Sequence, residues 1–218
     1  MKDGKIIGEE VIVEKRPEIA IEERKTFGYE EIPNELKILM RTFKNLTASQ
    51  VGVLLVPFKA KQLLNHVLSE LTEEQSSMAE NLLKELLFHN IDTQILEKKL
   101  DLKFEKGGAD WNKKRAETFV ERIGGIVNQA EILKNDMNSA VDLITDHLLE
   151  HFHIIIQDQM KLRFKTFLRM RLENKIDKGV LQKKLDASKL AGGINLNKST
   201  AEKVTKEVEM IMLLKYST

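Results

Sequence analysis

Two histidines, His147 and His151, stand four residues apart, which places both rings on one face of a helix. Imidazoles at this spacing can chelate zinc or another divalent cation. The order differs from His-Glu-x-x-His because Glu150 directly precedes the second histidine, and His153 lies about 200° round the helix from His151. The pattern favours structural histidines, with metal binding as the alternative. We predict neither a cofactor nor a resident metal.

Basic side chains are concentrated between residues 161 and 184, where nine lysines and arginines stand against two acidic residues, a balance of +7. Residues 139–160 carry four acidic residues and no lysine or arginine. A patch of positive sign can meet phosphates or an acidic partner. Alternatively, acidic residues early and basic residues late in one long helix complement the helix dipole. The candidate nucleic-acid contacts in this segment are Lys161, Lys165, Arg169, Lys183 and Lys184.

Two more candidate contacts, Lys113 and Lys198, follow the glycine pairs Gly107-Gly108 and Gly192-Gly193. Backbone amides, a helix dipole and an ammonium group would converge there on an anion. No P-loop consensus surrounds either pair, so a structural turn is favoured. We therefore predict that at least one glycine of each pair has a positive φ.

The second glycine pair resembles part of a helix–hairpin–helix DNA-binding element, over about 13 residues. Gly193, Ile194, Ala201 and Val204 carry the resemblance. It implies that amides of a glycine hairpin face DNA phosphates. Asn195 stands where the family has its second hairpin glycine, and two extra residues precede Ala201.

An internal repeat extends across both glycine pairs. Residues 82–123 align without a gap on residues 167–208, an offset of 85, with 15 identities in 42 positions. Unrelated helical sequence would give about three identities. Asn112 and Asn197, which match each other, are placed to cap the helix that follows each turn. The alignment predicts one structural unit present twice.

The elements that carry these residues are predicted to be helical. No proline occurs after Pro57, and Thr47 with Gln50 and Thr72 with Gln75 fit capping boxes. We expect helices near 34–44, 48–56, 58–70 and 73–90, and either one long helix or two stacked helices over 138–173. The glycines at 124–125 and 179 are expected to separate helices.

The predicted fold is therefore all-α, a multi-helix bundle or array that contains two tandem copies of a helix–Gly-Gly turn–helix unit. We divide the chain into an N-terminal arm, extended or disordered (1–30), a helical region (31–71), a first repeat unit (72–138) and a second (139–218). Partial alternation of β-branched residues in the arm would also suit edge strands.

Composition narrows the function. The 218 residues include 35 basic and 34 acidic side chains and no cysteine, which excludes disulfides, thiolate metal sites and thiol nucleophiles. The longest apolar run, residues 51–58, is too short to span a bilayer, and we expect a cytoplasmic protein. No nucleophile elbow or phosphate loop is present. We predict a non-enzymatic adaptor, scaffold or assembly protein that binds a protein partner or itself. The alternative is a nucleic-acid-binding protein.

Overall fold

The computed structural model describes residues 48–68 and 70–215. The predicted N-terminal arm, the helix at 34–44 and the cap at Thr47 lie outside these ranges. Within them the chain is all-helical and contains no strand. The nine helices of these ranges are α1 (Ala48–Leu54), α2 (Val56–Val67), α3 (Glu73–Leu87), α4 (Thr93–Asp101), α5 (Lys113–Asn135), α6 (Met137–His151), α7 (Asp158–Leu172), α8 (Lys178–Asp186) and α9 (Lys198–Leu214).

Helix starts follow from local capping. The predicted capping box at Thr72 is present, because its hydroxyl accepts from Gln75 N and the Gln75 side chain accepts from Thr72 N. The asparagine caps are present as well. Asn112 Oδ1 accepts from Arg115 N, and Asn197 Oδ1 accepts from Thr200 N. These bonds satisfy amides that would otherwise lack a partner at the starts of α5 and α9.

Three helices recur at the same offset as the sequence repeat. Helices α7, α8 and α9 each begin 85 residues after α3, α4 and α5, and α7 and α8 also end 85 residues after α3 and α4. Asp92 caps α4 as Asp177 caps α8. We call α2–α5 the first unit and α6–α9 the second unit. Helix α2 lies in the region 31–71 of the sequence division and is included here because Leu63, Leu64 and His66 match Leu148, Leu149 and His151 at the same offset.

The two Gly-Gly turns have the same geometry, and each glycine in a pair meets a different requirement. The first glycine has positive φ, +78° at Gly107 and +81° at Gly192. The second lies against backbone: a Cβ added to Gly108 would stand 2.0 Å from the Leu102 carbonyl oxygen, and one added to Gly193 would stand 2.1 Å from that of Ala187. Neither position of the pair accommodates a side chain without strain.

Several predicted boundaries were wrong. Gly124 and Gly125 lie inside α5 and Gly179 lies inside α8, so none of them separates helices. Glycine costs a helix only about 1 kcal/mol, and packing of the buried neighbours Ile123 and Ile126 outweighs this cost. The segment 138–173 forms two helices, α6 and α7, joined by residues 152–157. The helices predicted at 48–56, 58–70 and 73–90 end at residues 54, 67 and 87.

The two units pack against each other through one continuous hydrophobic core. Helix α5 of the first unit contacts α9 of the second, which occupies the equivalent position. In addition, α5 contacts α6 and α9 contacts α2, so each unit's last helix touches the other unit's first helix. Reciprocal contacts of this kind are those of a two-fold symmetric dimer, here made within one chain.

Candidate functional site

The basic residues predicted on α7 pair with acidic residues on α6. Lys161 Nζ lies 2.7 Å from Asp146 Oδ1, and Lys165 Nζ lies 2.8 Å from Asp142 Oδ1. The hydrogen bond to Asp146 raises the pKa of Lys161, and the hydrogen bond from Lys165 lowers the pKa of Asp142. The acidic residues of α6 and the basic residues of α7 therefore pair with each other across two neighbouring helices.

A third contact between α6 and α7 follows these two ion pairs and shows the relative direction of the helices. Arg169 Nη1 donates to Asn138 Oδ1 at 2.9 Å, so each advance of four residues on α7 meets a retreat of four on α6. The helices are antiparallel. The interpretation that required one long helix and its own dipole was wrong, because the chain reverses between the acidic and the basic half. Lys184, further along, lies 4.7 Å from the ring centre of Phe167.

The Gly-Gly turns use their amides internally. Gly192 N, Gly193 N and Ile194 N donate to the carbonyls of Lys189, Ser188 and Lys184. The four amides from Gly107 to Asp110 also donate to backbone carbonyls, those of Phe104, Lys103, Lys99 and Leu102. Lys113 pairs loosely with Glu117 at 3.7 Å, and Lys198 is exposed. Amides already bonded to carbonyls leave little at the turns themselves to hold an anion.

His147 and His151 stack on each other, with ring centres 5.9 Å apart and planes 7° apart. His147 Nε2 lies 3.4 Å from Glu207 Oε1 and 3.4 Å from Arg122 Nη1. Across residues 48–68 and 70–215, no group of three side chains is placed to hold a metal ion. The histidine pair thus belongs to a polar cluster between the units.

Glu207 on α9 is the centre of this cluster, and its side chain is fully buried. Its Oε2 accepts from Arg122 Nη2 on α5 at 2.5 Å and lies 2.5 Å from His66 Nε2 on α2. Burial alone would raise the pKa of Glu207. The hydrogen bonds from His147 and His66 and the charge of Arg122 outweigh burial, and they hold that pKa well below its usual value of 4.5. Glu207 is therefore ionised in the folded protein.

The cluster and its surroundings include two pairs of residues that are equivalent in the two units. Arg122 and Glu207 are 85 residues apart, as are His66 and His151. The contact between Arg122 and Glu207 thus joins a position to its own counterpart, as happens on the axis of a symmetric dimer. Burial lowers the pKa of His151, and the charge of Arg122 adds to this effect.

A cleft of about 850 Å³ opens above this cluster, between the units. Equivalent positions from both units line it, including His66 with His151, Val67 with Phe152, and Thr118 with Lys203. Five basic side chains also line the cleft: Lys114, Arg115, Arg122, Lys203 and Lys206. Among the described residues that line it, Glu207 is the only acidic one.

Partners within the chain neutralise part of this charge. Arg122 bonds to Glu207, and Lys206 Nζ lies 2.8 Å from Glu202 Oε1 in an exposed pair. Arg115 donates to the Glu70 carbonyl and keeps its full charge. Lys114 and Lys203 are exposed and form no ion pair with any residue in the described ranges. Among the described residues, no ion pair therefore neutralises the positive charge of these two lysines at the rim of the cleft.

Sequence reasoning missed this cleft. None of its basic residues was a candidate, since the prediction named Lys113, whereas the neighbouring Lys114 faces the cleft. A usable signal was present: Leu63-Leu64-x-His66 and Leu148-Leu149-x-His151 match at the same offset of 85, upstream of the aligned segment. This match would have indicated that the first copy extends back to α2, as the second extends back to α6.

None of the helices within the described ranges has the length and apolar character needed to cross a membrane. No family model matches the chain, and comparison with curated proteins and with solved structures gives no match.

Proposed function

We propose that the protein is a non-enzymatic interaction protein, an adaptor or scaffold, built from an internal duplication. Its partner binds in the cleft between the two units. The open cleft of about 850 Å³, lined by both units and rich in exposed basic side chains, is the observation that carries this proposal. A volume of this order is typical of ligand-binding clefts.

The duplication is supported by three independent features. Helix bounds recur at an offset of 85, the helices α4, α5, α8 and α9 begin with matching side-chain caps, and both Gly-Gly turns place their glycines alike. His89 and Asn174, which are equivalent, also share a positive φ. Positive φ is uncommon outside glycine, so agreement at this pair adds weight to a common origin.

Chemistry at the cleft floor supports binding in preference to catalysis. Four ionisable groups there are bonded to one another, because Arg122, His66 and His147 all contact the carboxylate of Glu207. A general base is instead expected to face a substrate proton within hydrogen-bond reach. The exposed side chains at the rim include three lysines, Lys114, Lys203 and Lys206, which suit recognition of charge.

Site-specific photo-cross-linking tests the proposal. A photoreactive phenylalanine derivative replaces Thr118, which is exposed in the cleft, in the full chain expressed in its own cells. The control carries it at Thr166 on α7, an exposed position outside the cleft. We expect a defined cross-linked protein from position 118 only, and we expect it to disappear when Lys114 and Lys203 are changed to Glu. Equal labelling from both positions, or none from position 118, would contradict the proposal.

Nucleic-acid binding is the second candidate, and the basic rim of the cleft favours it more than segment 161–184 does. Lys161, Lys165 and Arg169 already have partners on α6. Fluorescence anisotropy with single-stranded and duplex DNA, over a range of salt, distinguishes the two locations. Binding tighter than micromolar at physiological salt that disappears in K161Q/K165Q/R169Q would support the segment. Removal of each side chain that binds a phosphate should lower the slope of log affinity against log salt by about one.

A further inference from the structure

We infer that the cleft between the units binds an acidic polypeptide segment in which apolar side chains alternate with carboxylates. This inference rests on the proposed interaction function and names the partner's chemistry.

The charge of the cleft points to a carboxylate-bearing ligand. Arg122 compensates Glu207, and Lys206 pairs with Glu202, which leaves Lys114, Arg115 and Lys203 as the further basic side chains of the lining. Lys114 belongs to the first unit and Lys203 to the second, so a ligand that bridges the units would meet an ammonium group from each. Exposed lysines of this kind raise the local concentration of an anionic partner and favour its encounter.

The apolar part of the lining points to a polypeptide. Val67, Leu68 and Phe152 line the cleft together with the basic residues, and each is only partly buried by the core. Apolar groups of a ligand would bury these side chains further, whereas a ligand with charged groups alone would leave them exposed to water. An extended chain alternates its side chains between two sides, so one segment presents carboxylates and apolar groups together.

The same lining disfavours a nucleic acid. Single strands bind sequence-tolerant sites by stacking bases on aromatic faces. Phe119 in the cleft is only 1% exposed. The rings of His151 and Phe152 already pack edge to face on each other, with their centres 4.7 Å apart. Duplex DNA, in turn, needs a broad basic face that follows its backbone, which a cleft between helices does not provide.

A titration with a defined peptide tests the inference. The probe is a fluorescein-labelled peptide of about ten residues that alternates Glu with Leu, added to the full chain and followed by anisotropy. The test variant is K114Q/K203Q. The matched control, K161Q/K165Q, removes the same charge from α7, outside the cleft. We expect the test variant to bind at least tenfold more weakly and the control to stay within twofold of the wild type.

Two further probes complete the design. A peptide with Lys in place of Glu should not bind, and a single-stranded oligonucleotide of equal charge should bind more weakly than the acidic peptide. All four substituted positions are exposed or partly exposed, and equal thermal midpoints of the variants confirm that folding is kept.

Every other outcome overturns the inference. Equal binding by both double variants places the peptide elsewhere, and tighter binding of the oligonucleotide makes the cleft a nucleic-acid site. If the peptide fails to bind while position 118 still cross-links a partner, the interaction function stands and the acidic-segment inference falls. Failure of both experiments removes the proposed function as well.

Discussion

Replacement of Glu207 by Gln should destabilise the protein strongly, because it removes the one carboxylate in the cluster between the units. Gln keeps the size of the side chain, but Arg122, whose side chain is only 16% exposed, loses its counter-charge. Removal of one partner from a buried ion pair costs about 3–5 kcal/mol. Since Arg122 keeps some contact with solvent, we expect the free energy of unfolding to fall by roughly 2–4 kcal/mol.

A matched control lies on the same helix. Glu202 pairs with Lys206 on α9 at 2.8 Å, and both side chains are about half exposed. Exposed pairs contribute roughly 0–1 kcal/mol, so E202Q should change stability little. Urea denaturation of the full chain at pH 7, followed by circular dichroism, gives the midpoint and slope for each variant. If E207Q unfolds within about 0.5 kcal/mol of E202Q, the buried cluster does not stabilise the interface as we argue.

A double variant separates loss of charge from loss of packing. R122M/E207L removes both charges of the ion pair and keeps apolar volume, so Arg122 is not left without a counter-charge, although His66 and His147 lose their acceptor. We expect it to be more stable than E207Q alone, because apolar replacement of a whole buried pair is often neutral. A double variant less stable than E207Q would contradict this explanation.

Three further predictions concern acid, alkali and the turns. Because the pKa of Glu207 is lowered in the folded state, the unfolded chain protonates this carboxylate first as pH falls below about 4.5. Thermal midpoints should fall more steeply in that pH range for the wild type than for E207Q. Parallel curves would refute this prediction. Burial, aided by the charge of Lys134, lowers the pKa of Lys59 from 10.5 to about 8, so the unfolded state binds more protons than the folded state between these pH values. Urea midpoints should therefore rise with pH over that interval for the wild type and rise less for K59M. An equal rise in both proteins would contradict this prediction. G108A and G193A should each lose more than about 1 kcal/mol, since the new Cβ meets a backbone carbonyl, whereas G179A, with its nearest contact at 3.4 Å, should be neutral or stabilising; equal urea midpoints for all three would contradict the turn geometry.

The sequence predicted the helical class and most helix starts because these depend on short-range chemistry. A cap such as Asn112 or Thr72 acts within three residues, so its pattern is visible in the chain itself. Helix ends were predicted less well. The glycines inside α5 show why: packing of Ile123 and Ile126 against other helices overrides a local preference.

The cleft was not predictable by the same means, since it depends on how the units pack. In the alignment Arg122 and Glu207 are an unremarkable mismatch of opposite charge. The structure shows that the two residues form an ion pair, because α5 and α9 are in contact. Likewise, the basic residues of α7 are visible in the sequence, but their acidic partners on α6 are known only once the two helices are seen to pack antiparallel.

The most direct measurement of the central claim is an NMR titration of the ¹⁵N-labelled full chain with the alternating Glu-Leu peptide. Backbone amide shifts report the binding surface residue by residue and do not depend on any substitution. We predict that the largest changes lie at residues 66–68, 112–122, 151–152 and 203–207, which surround the cleft. Changes concentrated at residues 161–184 instead, or none at peptide concentrations up to the millimolar range, would contradict the assignment of the cleft as the binding surface.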